Sequence, residues 1–165
     1  MNFVSMAAAG AVAVFGVMAA GAALAADLEL RWIKADGTVV GERSLSTADI
    51  EALPQTTFTT NTPWTTAPTE FTGPELSELA KLGTGKAIQA DVTALNDYTA
   101  TIPAEDWLKH GATLAVRTNG ELMKIRDKGP FWLMYPIDRD SKMLDTQLYH
   151  SRMVWQVQSV EFLVE

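Results

Sequence analysis

The stretch from Gly129 to Pro136, GPFWLMYP, constrains the fold of this chain more than any other. Its five central residues are apolar and lie between two prolines, which is too short for a helix and long enough for a fully buried strand. Proline cannot donate a hydrogen bond to a sheet ladder, so Pro130 and Pro136 are expected to mark where the strand begins and ends. The sequence therefore predicts a strand in the core.

Further strands are predicted wherever apolar and polar residues alternate or β-branched residues cluster. The dipeptides Asp36-Gly37 and Asn119-Gly120 are typical of tight turns between such strands. A long polar connection, residues 61–72, is expected to be functional or flexible, because compact domains rarely contain loops of that length. The expected strands cover residues 28–33, 38–40, 56–60, 88–92, 113–118, 122–125 and 154–164.

Capping and stop signals predict short helices between these strands. One covers residues 48–53. In the next, Thr72 and Glu75 have capping-box spacing, and Gly83 ends the helix. Another lies within residues 103–111, with acidic residues in its first turn and basic residues in its last. The combination predicts an α+β fold, rich in strand, with a few short helices.

The first 26 residues contain no Lys, Arg, Asp or Glu, and Ala23-Leu24-Ala25 has the small-residue pattern of a processing site. We predict a signal peptide, residues 1–25, and hence a periplasmic or secreted protein. A permanent membrane anchor is the alternative, since the uncharged run exceeds the roughly 18 residues that a span needs. Its many Ala and Gly residues are only weakly hydrophobic, which favours the signal peptide. Cleavage would leave one domain, residues 26–165, without a stable membrane span.

Composition excludes several classes of partner and chemistry. The net charge of −7 and the pI near 4.8 argue against nucleic acid or an anionic membrane, because both require a basic face. The chain contains no cysteine, so neither a disulfide nor a thiolate nucleophile or metal ligand is available. An exported form of this protein must be stabilised by its core alone.

Two sets of metal-ligand types do not have the spacing of a metal site. His110 and His150 are the only histidines, and neither has a second His or Cys at ligand spacing, so zinc is not predicted. Asp138, Asp140 and Asp145 lack the glycine and distal glutamate of an EF-hand loop. A solvated acidic loop is the expectation there rather than a calcium site.

Other features leave two interpretations open. Trp64 lies in the polar connection and is expected either to cover a pocket or to fill the edge of the core. Met143 and Trp155, like the other late Met and Trp residues, are expected in the core. A group of late basic residues either binds an anion by bidentate contacts or is scattered surface charge. These basic residues are Arg117, Lys124, Arg126, Lys128, Arg139, Lys142 and Arg152.

Several segments, taken in order, resemble the sulfite oxidase-type molybdopterin-binding domain family. Phe71 to Leu76 with Leu79 is similar to its W-x-G-x-x-L…L element, and Asn119 to Leu122 is similar to its N-G-x-x-L turn. The resemblance covers roughly residues 56–164 and implies that family's β-rich fold. The other matching segments are Asn96-Asp97-Tyr98 with Ile102-Pro103, Pro130 to Pro136, and Val154-Trp155-Gln156.

The departures from this family fall on residues that bind its cofactor. The family's metal-ligating cysteine corresponds to a position near Asn61, and an amide is a poor replacement for a soft thiolate at a transition metal. Trp132 stands where the family's P-x-R element has a cofactor-binding arginine, and Phe71 replaces the Trp of W-x-G. The resemblance thus implies the fold and argues against the activity.

We therefore expect a non-catalytic binding or accessory module, without a cofactor, that takes a small anionic ligand or a periplasmic or membrane protein partner. Its alternatives are a molybdopterin-dependent oxidoreductase whose metal lacks a protein thiolate, and a purely structural protein whose cleft is filled by side chains. The resemblance implies a former cofactor cleft. Its expected lining residues are Asn61, Trp64, Tyr98, Arg117, Arg126 and Trp132.

Overall fold

The computed structural model describes residues 27–165, so the predicted signal peptide lies outside the described residues. Within that range, no helix has both the length and the apolar character needed to cross a bilayer. The strands are β1 (Leu28–Ile33), β2 (Val39–Leu45), β3 (Thr56–Thr60), β4 (Thr69–Gly73), β5 (Ala87–Ala94), β6 (Thr99–Pro103), β7 (Thr113–Ala115), β8 (Arg117–Thr118), β9 (Glu121–Leu122), β10 (Trp132–Met134) and β11 (Val157–Val164).

Short helices connect these strands, so the fold is α+β and rich in strand, as predicted. The helices are α1 (Thr47–Glu51), α2 (Leu76–Ala80), α3 (Ala104–Lys109), α4 (Ser141–Leu144) and α5 (Gln147–Arg152), with 3-10 turns at Ile125–Asp127 and Ile137–Arg139.

The largest sheet has five strands in the order β2-β1-β11-β5-β6. Strands β1 and β11 are parallel, while the other neighbouring pairs are antiparallel. In β1 the alternation seen in the sequence is exact in burial, with Leu28, Leu30 and Trp32 inside and Glu29 and Arg31 outside. One face of this sheet therefore belongs to the core and the other faces solvent.

Two smaller sheets complete the architecture. One has the order β3-β4-β8-β9, and the other pairs β10 with β7. They approach closely at Gly73, where a Cβ atom would overlap the backbone of Leu114, so only glycine fits. The backbone amide of Val116 donates to the carbonyl of Thr72 at 2.8 Å, which joins the two small sheets through their backbones.

The strand predicted between Pro130 and Pro136 is confirmed, and all residues from Phe131 to Ile137 are buried. Its hydrogen-bonded part is shorter, Trp132–Met134, because the flanking residues bond elsewhere. Leu133 donates to the carbonyl of Val154 at 2.8 Å, and Val157 donates to the carbonyl of Phe131 at 3.0 Å. The segment just before β11 thus lies against β10, which is why β11 itself begins at residue 157 rather than 154.

Two predictions around residue 72 are wrong for one reason. The polar connection ends at residue 68, because residues 69–73 form β4 and pair with β3. The hydroxyls of Thr57 and Thr72 lie 2.9 Å apart across these strands, so Thr72 does not cap the next helix. That helix begins at Leu76 with Glu75 as its N-cap and without a side-chain cap.

Two further differences concern the region after β8. Asn119 and Gly120 have φ of +49° and +80°, as the predicted tight turn requires, but the returning strand covers only β9. The polar stretch after residue 138 contains α4 and α5, which the sequence did not predict. A four-residue and a six-residue helix carry too little periodicity to be recognised.

A buried polar network anchors α5 to the rest of the fold. The Asp106 carboxylate is 1% exposed; it accepts a hydrogen bond from the Tyr135 hydroxyl at 2.6 Å and one from the Arg152 guanidinium at 3.1 Å. The guanidinium also lies 5.3 Å from the ring centroid of Tyr149. Burial, followed by the nearby Asp106 charge, raises the pKa of Tyr135 well above 10.0, so this hydroxyl stays protonated.

Candidate ligand-binding site

Trp64 lies at the centre of a cluster of aromatic rings. Its ring centroid is 5.9 Å from that of Trp132, 5.8 Å from that of Trp155 and 5.5 Å from that of His150, each in an edge-to-face arrangement. Such pairs are each worth about 0.5–1.5 kcal/mol beyond the area they bury. The half-buried indole packs against the core and also lines two depressions. Trp64 therefore both fills the edge of the core and borders a pocket, the two alternatives that the sequence left open.

The loop that carries Trp64 is fastened at its start. The Thr62 hydroxyl accepts from the Trp64 amide at 3.2 Å and lies 2.9 Å from the Thr65 hydroxyl. The backbone and side-chain amides of Asn61 both donate to Asp138, at 3.0 and 2.9 Å. These polar contacts explain why a loop rich in Thr and Pro holds a tryptophan in one position.

We use the name aromatic pocket for a cavity of about 250 Å³ on one side of Trp64. Trp155 and Tyr98 form its outer walls and remain 37% and 46% exposed, so the pocket presents aromatic surface to solvent. The Tyr98 hydroxyl donates to the carbonyl of Ser151 at 2.7 Å, which fixes its ring against α5. The full lining is Trp64, Ala94, Asn96, Tyr98, His150, Ser151, Met153, Val154 and Trp155.

We use the name basic depression for a wider hollow of about 500 Å³ on the other side of Trp64. Its charged residues are Arg126, Asp127 and Lys128, and Trp132 forms part of its wall. Arg126 pairs with its neighbour Asp127 at 3.5 Å. The Lys128 ammonium lies 4.5 Å from the ring centroid of Trp155 and 5.6 Å from that of Trp132. Between residues 27 and 165, no carboxylate lies within 4.0 Å of it.

Left-handed backbone positions hold the wall between these two hollows. Lys128 and Gln156 have φ of +69° and +52°, a region that non-glycine residues rarely adopt. The amide of Gln156 donates to the carbonyl of Lys128 at 2.9 Å, and its side chain donates to the carbonyl of Ile125 at 2.8 Å. Trp155 directly precedes Gln156, so these bonds fix the indole and the ammonium relative to each other.

A third hollow, of about 240 Å³, contains Asn61, Asp138 and Asp145. The carboxylates have separate partners here, because Asp138 accepts from Asn61 while Asp145 lies 2.8 Å from the His150 ring nitrogen. Asp140 instead caps α4 through the amide of Met143 at 3.4 Å. In the part of the chain that the structure describes, no three His, Asp or Glu side chains converge as metal ligands would.

The structure distributes the predicted cleft residues over several places. Trp64 and Tyr98 lie in the aromatic pocket, and Trp64 also meets Arg126 and Trp132 in the basic depression. Asn61 lies in the third hollow. Arg117 lines none of the three, because its guanidinium pairs with Glu51 at 2.6 Å and donates to the carbonyl of Gly120 at 2.8 Å.

For several other residues, the position in the structure differs from the one expected from the sequence, or the sequence gives no expectation. Trp155 and Met143 were expected in the core and are exposed, while Trp132 and Met153 are buried as expected. The spacing of His150 argues against a zinc ligand and does not indicate its position, which is against the ring of Trp64. The sequence contains a partial signal for Trp155: it follows two buried residues, Met153 and Val154, and the alternation of a strand would place it on the outer face. Its actual exposure also depends on the left-handed turn at Gln156.

Comparison with known proteins adds no assignment to this geometry. No family model matches the chain, and no curated protein is significantly similar to it.

Proposed function

We propose that this protein is an exported, non-catalytic module with a sulfite oxidase-like fold, which binds a small organic ligand in the aromatic pocket. The ordered resemblance over residues 56–164 supports the fold, and the uncharged N-terminal run supports export to the periplasm or beyond. The observation that carries the binding function is the pocket itself. Ligand sites are concave and mostly apolar, with a few polar groups, and this pocket has that composition.

Exposure of the pocket walls supports binding over a purely structural role. A cleft filled by its own side chains would bury Trp155 and Tyr98, yet both keep more than a third of their surface in solvent. Met153 and Val154 are buried at the base and provide a fixed apolar floor. Open aromatic walls above such a floor favour a planar apolar group, because ring stacking and burial then act together.

The residues at the family's cofactor positions do not fit a molybdenum–pterin group. The Trp132 indole is 2% exposed and donates to the carbonyl of Met153 at 3.2 Å, so it has no free donor for a phosphate. Asn61 already binds Asp138, and a second carboxylate, Asp145, lines the same hollow. Two carboxylates repel an anionic cofactor, and hard oxygen donors are poor ligands for a metal that the family binds through sulfur.

Metal analysis of the full chain tests the non-catalytic part of the proposal. The protein would be expressed with its N-terminal segment in a cell that makes molybdopterin, and then purified without chelators. We expect a molybdenum content near zero per chain. Stoichiometric molybdenum that survives gel filtration would overturn the proposal and favour the oxidoreductase alternative.

Calorimetric titration with small ring compounds tests the binding part. Trp155→Ala removes one wall of the pocket and should abolish binding while the protein stays folded. Leu108→Ala is the matched control, because Leu108 is 69% exposed on α3 and lines none of the three hollows. Equal binding by the parent protein and Trp155→Ala would place the ligand elsewhere. A protein partner would instead be recovered by pull-down from a periplasmic extract, and Trp155→Ala should lose it.

A further inference from the structure

We propose that the ligand is an organic anion whose planar apolar ring enters the aromatic pocket while its anionic group is held by Lys128. This inference rests on the proposed function, because it assigns a chemical class to the ligand of the same pocket. It also adds the basic depression to the site. Three observations carry it: the missing counter-ion of Lys128, its position against Trp155, and the backbone that holds both.

Among residues 27–165 the Lys128 ammonium has no carboxylate within 4.0 Å, although it is partly buried. The other Lys and Arg side chains of the described range that have no carboxylate within 4.0 Å are exposed, namely Lys34, Arg43, Lys86, Lys124, Arg139 and Lys142. Arg152, which is partly buried like Lys128, is paired with Asp106. The neighbouring Asp127 is engaged with Arg126. A partly desolvated cation that lies over ring faces, with no carboxylate within 4.0 Å among residues 27–165, has spare capacity for an anion.

Lys128 does not line the aromatic pocket itself, so a ligand would reach its ammonium by extending past the rings that border the two hollows. The ammonium is 4.5 Å from the ring centroid of Trp155, and the same indole lines the pocket. Trp64 lines both hollows, so they share a wall. A cavity of about 150 Å³ holds benzene. The pocket of about 250 Å³ therefore has room for a bicyclic ring.

The position of Lys128 decides between an anionic and a cationic ligand. Aromatic walls alone would favour an organic cation, such as a quaternary ammonium group. Here, however, a protein ammonium already lies over the Trp155 ring, and it would repel a second cation bound against the same indole. Of the residues that the structure describes, no Asp or Glu lines the pocket to offset that repulsion. An anionic group gains from the same charge.

The backbone at Lys128 supports a functional position. Residues held in the left-handed region cost of order 1–3 kcal/mol where the side chain is not glycine, and they cluster at ligand sites. Lys128 and Gln156 are both held so and are bonded to each other at 2.9 Å. This pair fixes the ammonium beside the indole before any ligand arrives.

The test compares three probes that share one ring system and differ in charge. They are 2-naphthoate, 2-naphthalenemethanol and 2-naphthylmethylamine, titrated calorimetrically into the full chain at about 20 mM salt. We expect the anion to bind about five-fold more tightly than the alcohol, the factor that one partly exposed ion pair provides. That preference should shrink at about 500 mM salt, where exposed charges are screened.

Two variants separate the role of Lys128 from general charge. Lys128→Gln should remove the preference for the anion, so that anion and alcohol bind with equal affinity. Lys124→Gln is the matched control, since it removes the same charge from the same segment and lines neither hollow. Equal affinity of the parent protein for anion and alcohol, tighter binding of the amine, or a preference that survives Lys128→Gln would overturn the anion inference and leave the proposed function standing. No binding of any probe to folded protein would overturn the proposed function itself.

Discussion

In the described part of the chain, two cations lie over aromatic rings, and their surroundings differ in one respect. The Arg152 guanidinium lies 5.3 Å from the centre of the Tyr149 ring and has a buried carboxylate, Asp106, at 3.1 Å. The Lys128 ammonium lies 4.5 Å from the centre of the Trp155 ring and has no carboxylate within 4.0 Å among residues 27–165. The first arrangement is complete in itself, whereas the second leaves a charge that a ligand can neutralise.

The difference separates stability from binding. Removal of either partner of a buried ion pair strongly lowers the stability of the fold, because the remaining charge is left without solvation. A partly exposed cation over a ring contributes only about 0.5–1 kcal/mol and tolerates replacement. Helix α5 serves both regions, since Tyr149 and Arg152 belong to the buried network while His150 and Ser151 line the aromatic pocket. Damage to the network should therefore also disturb the pocket.

The largest effect is expected from Asp106→Ala. It leaves the Arg152 guanidinium and the Tyr135 hydroxyl without their acceptor in the core, which should lower the free energy of unfolding by about 3–5 kcal/mol. Urea denaturation followed by tryptophan fluorescence measures this. Glu105→Ala, one residue earlier on the exposed side of the same helix, should leave the transition close to that of the parent protein. A loss for Asp106→Ala no larger than that of Glu105→Ala would contradict a structural role for the network.

The next comparison replaces each cation by the same residue. Arg152→Gln should lower the free energy of unfolding by about 2–3 kcal/mol, because Asp106 then loses its charged donor in a buried place. Lys128→Gln should change it by less than about 1 kcal/mol. Urea midpoints of the two variants, measured side by side, give the difference. Equal losses would remove the distinction drawn between the two regions.

Tyr135→Phe tests the neutral member of the network and should cost about 1–2 kcal/mol near pH 7, the usual loss for one buried hydrogen bond. Its pH dependence has a definite sign. The pKa of Tyr135 is raised above 10.0 in the fold, so its contribution is complete below pH 10.0 and is lost as the pH rises further. The parent protein should therefore lose stability more steeply than Tyr135→Phe as the pH rises above 10.0. Parallel curves in this range would show that Tyr135 does not titrate differently on unfolding.

The last comparison concerns the open side. Trp155→Ala removes a ring that is 37% exposed, so the free energy of unfolding should fall by about 2 kcal/mol, less than for a fully buried indole. Binding of 2-naphthoate should nevertheless disappear. Thermal denaturation and calorimetric titration of one preparation measure both quantities. A large loss of stability together with retained binding would assign Trp155 to the core, as the sequence suggested.

Strands of the large sheet are predictable where apolar and polar residues alternate regularly. The candidate site is not predictable, because it lies where that alternation is interrupted. The alternation of Leu28, Leu30 and Trp32 with polar residues predicts β1, because one face of that strand is buried along its whole length. The wall of the pocket instead depends on Lys128 and Gln156, whose left-handed backbone no local pattern specifies. Trp155 is exposed only because the chain turns there before β11 begins.

The ion pairs of the late basic residues are also not predictable from the sequence. In the sequence, Arg117, Arg152 and Lys128 are three similar charges, and nothing nearby distinguishes them. Their partners are distant along the chain: Glu51 for Arg117 and Asp106 for Arg152. Pairing between such distant residues decides which cation remains available, and only the folded chain reveals it.

The order of the large sheet has a consequence for biosynthesis. Its middle strand, β11, is the last of the described strands to leave the ribosome, and β1 and β5 are neighbours only through it. Long-range pairing of this kind also folds slowly. The main sheet therefore cannot close until β11 is synthesised, and before that β2-β1 and β5-β6 are two separate strand pairs. A premature stop codon shortly before residue 157 would remove β11 and leave β1 and β5 without their shared neighbour. We expect such a product to be unfolded and degraded by proteases.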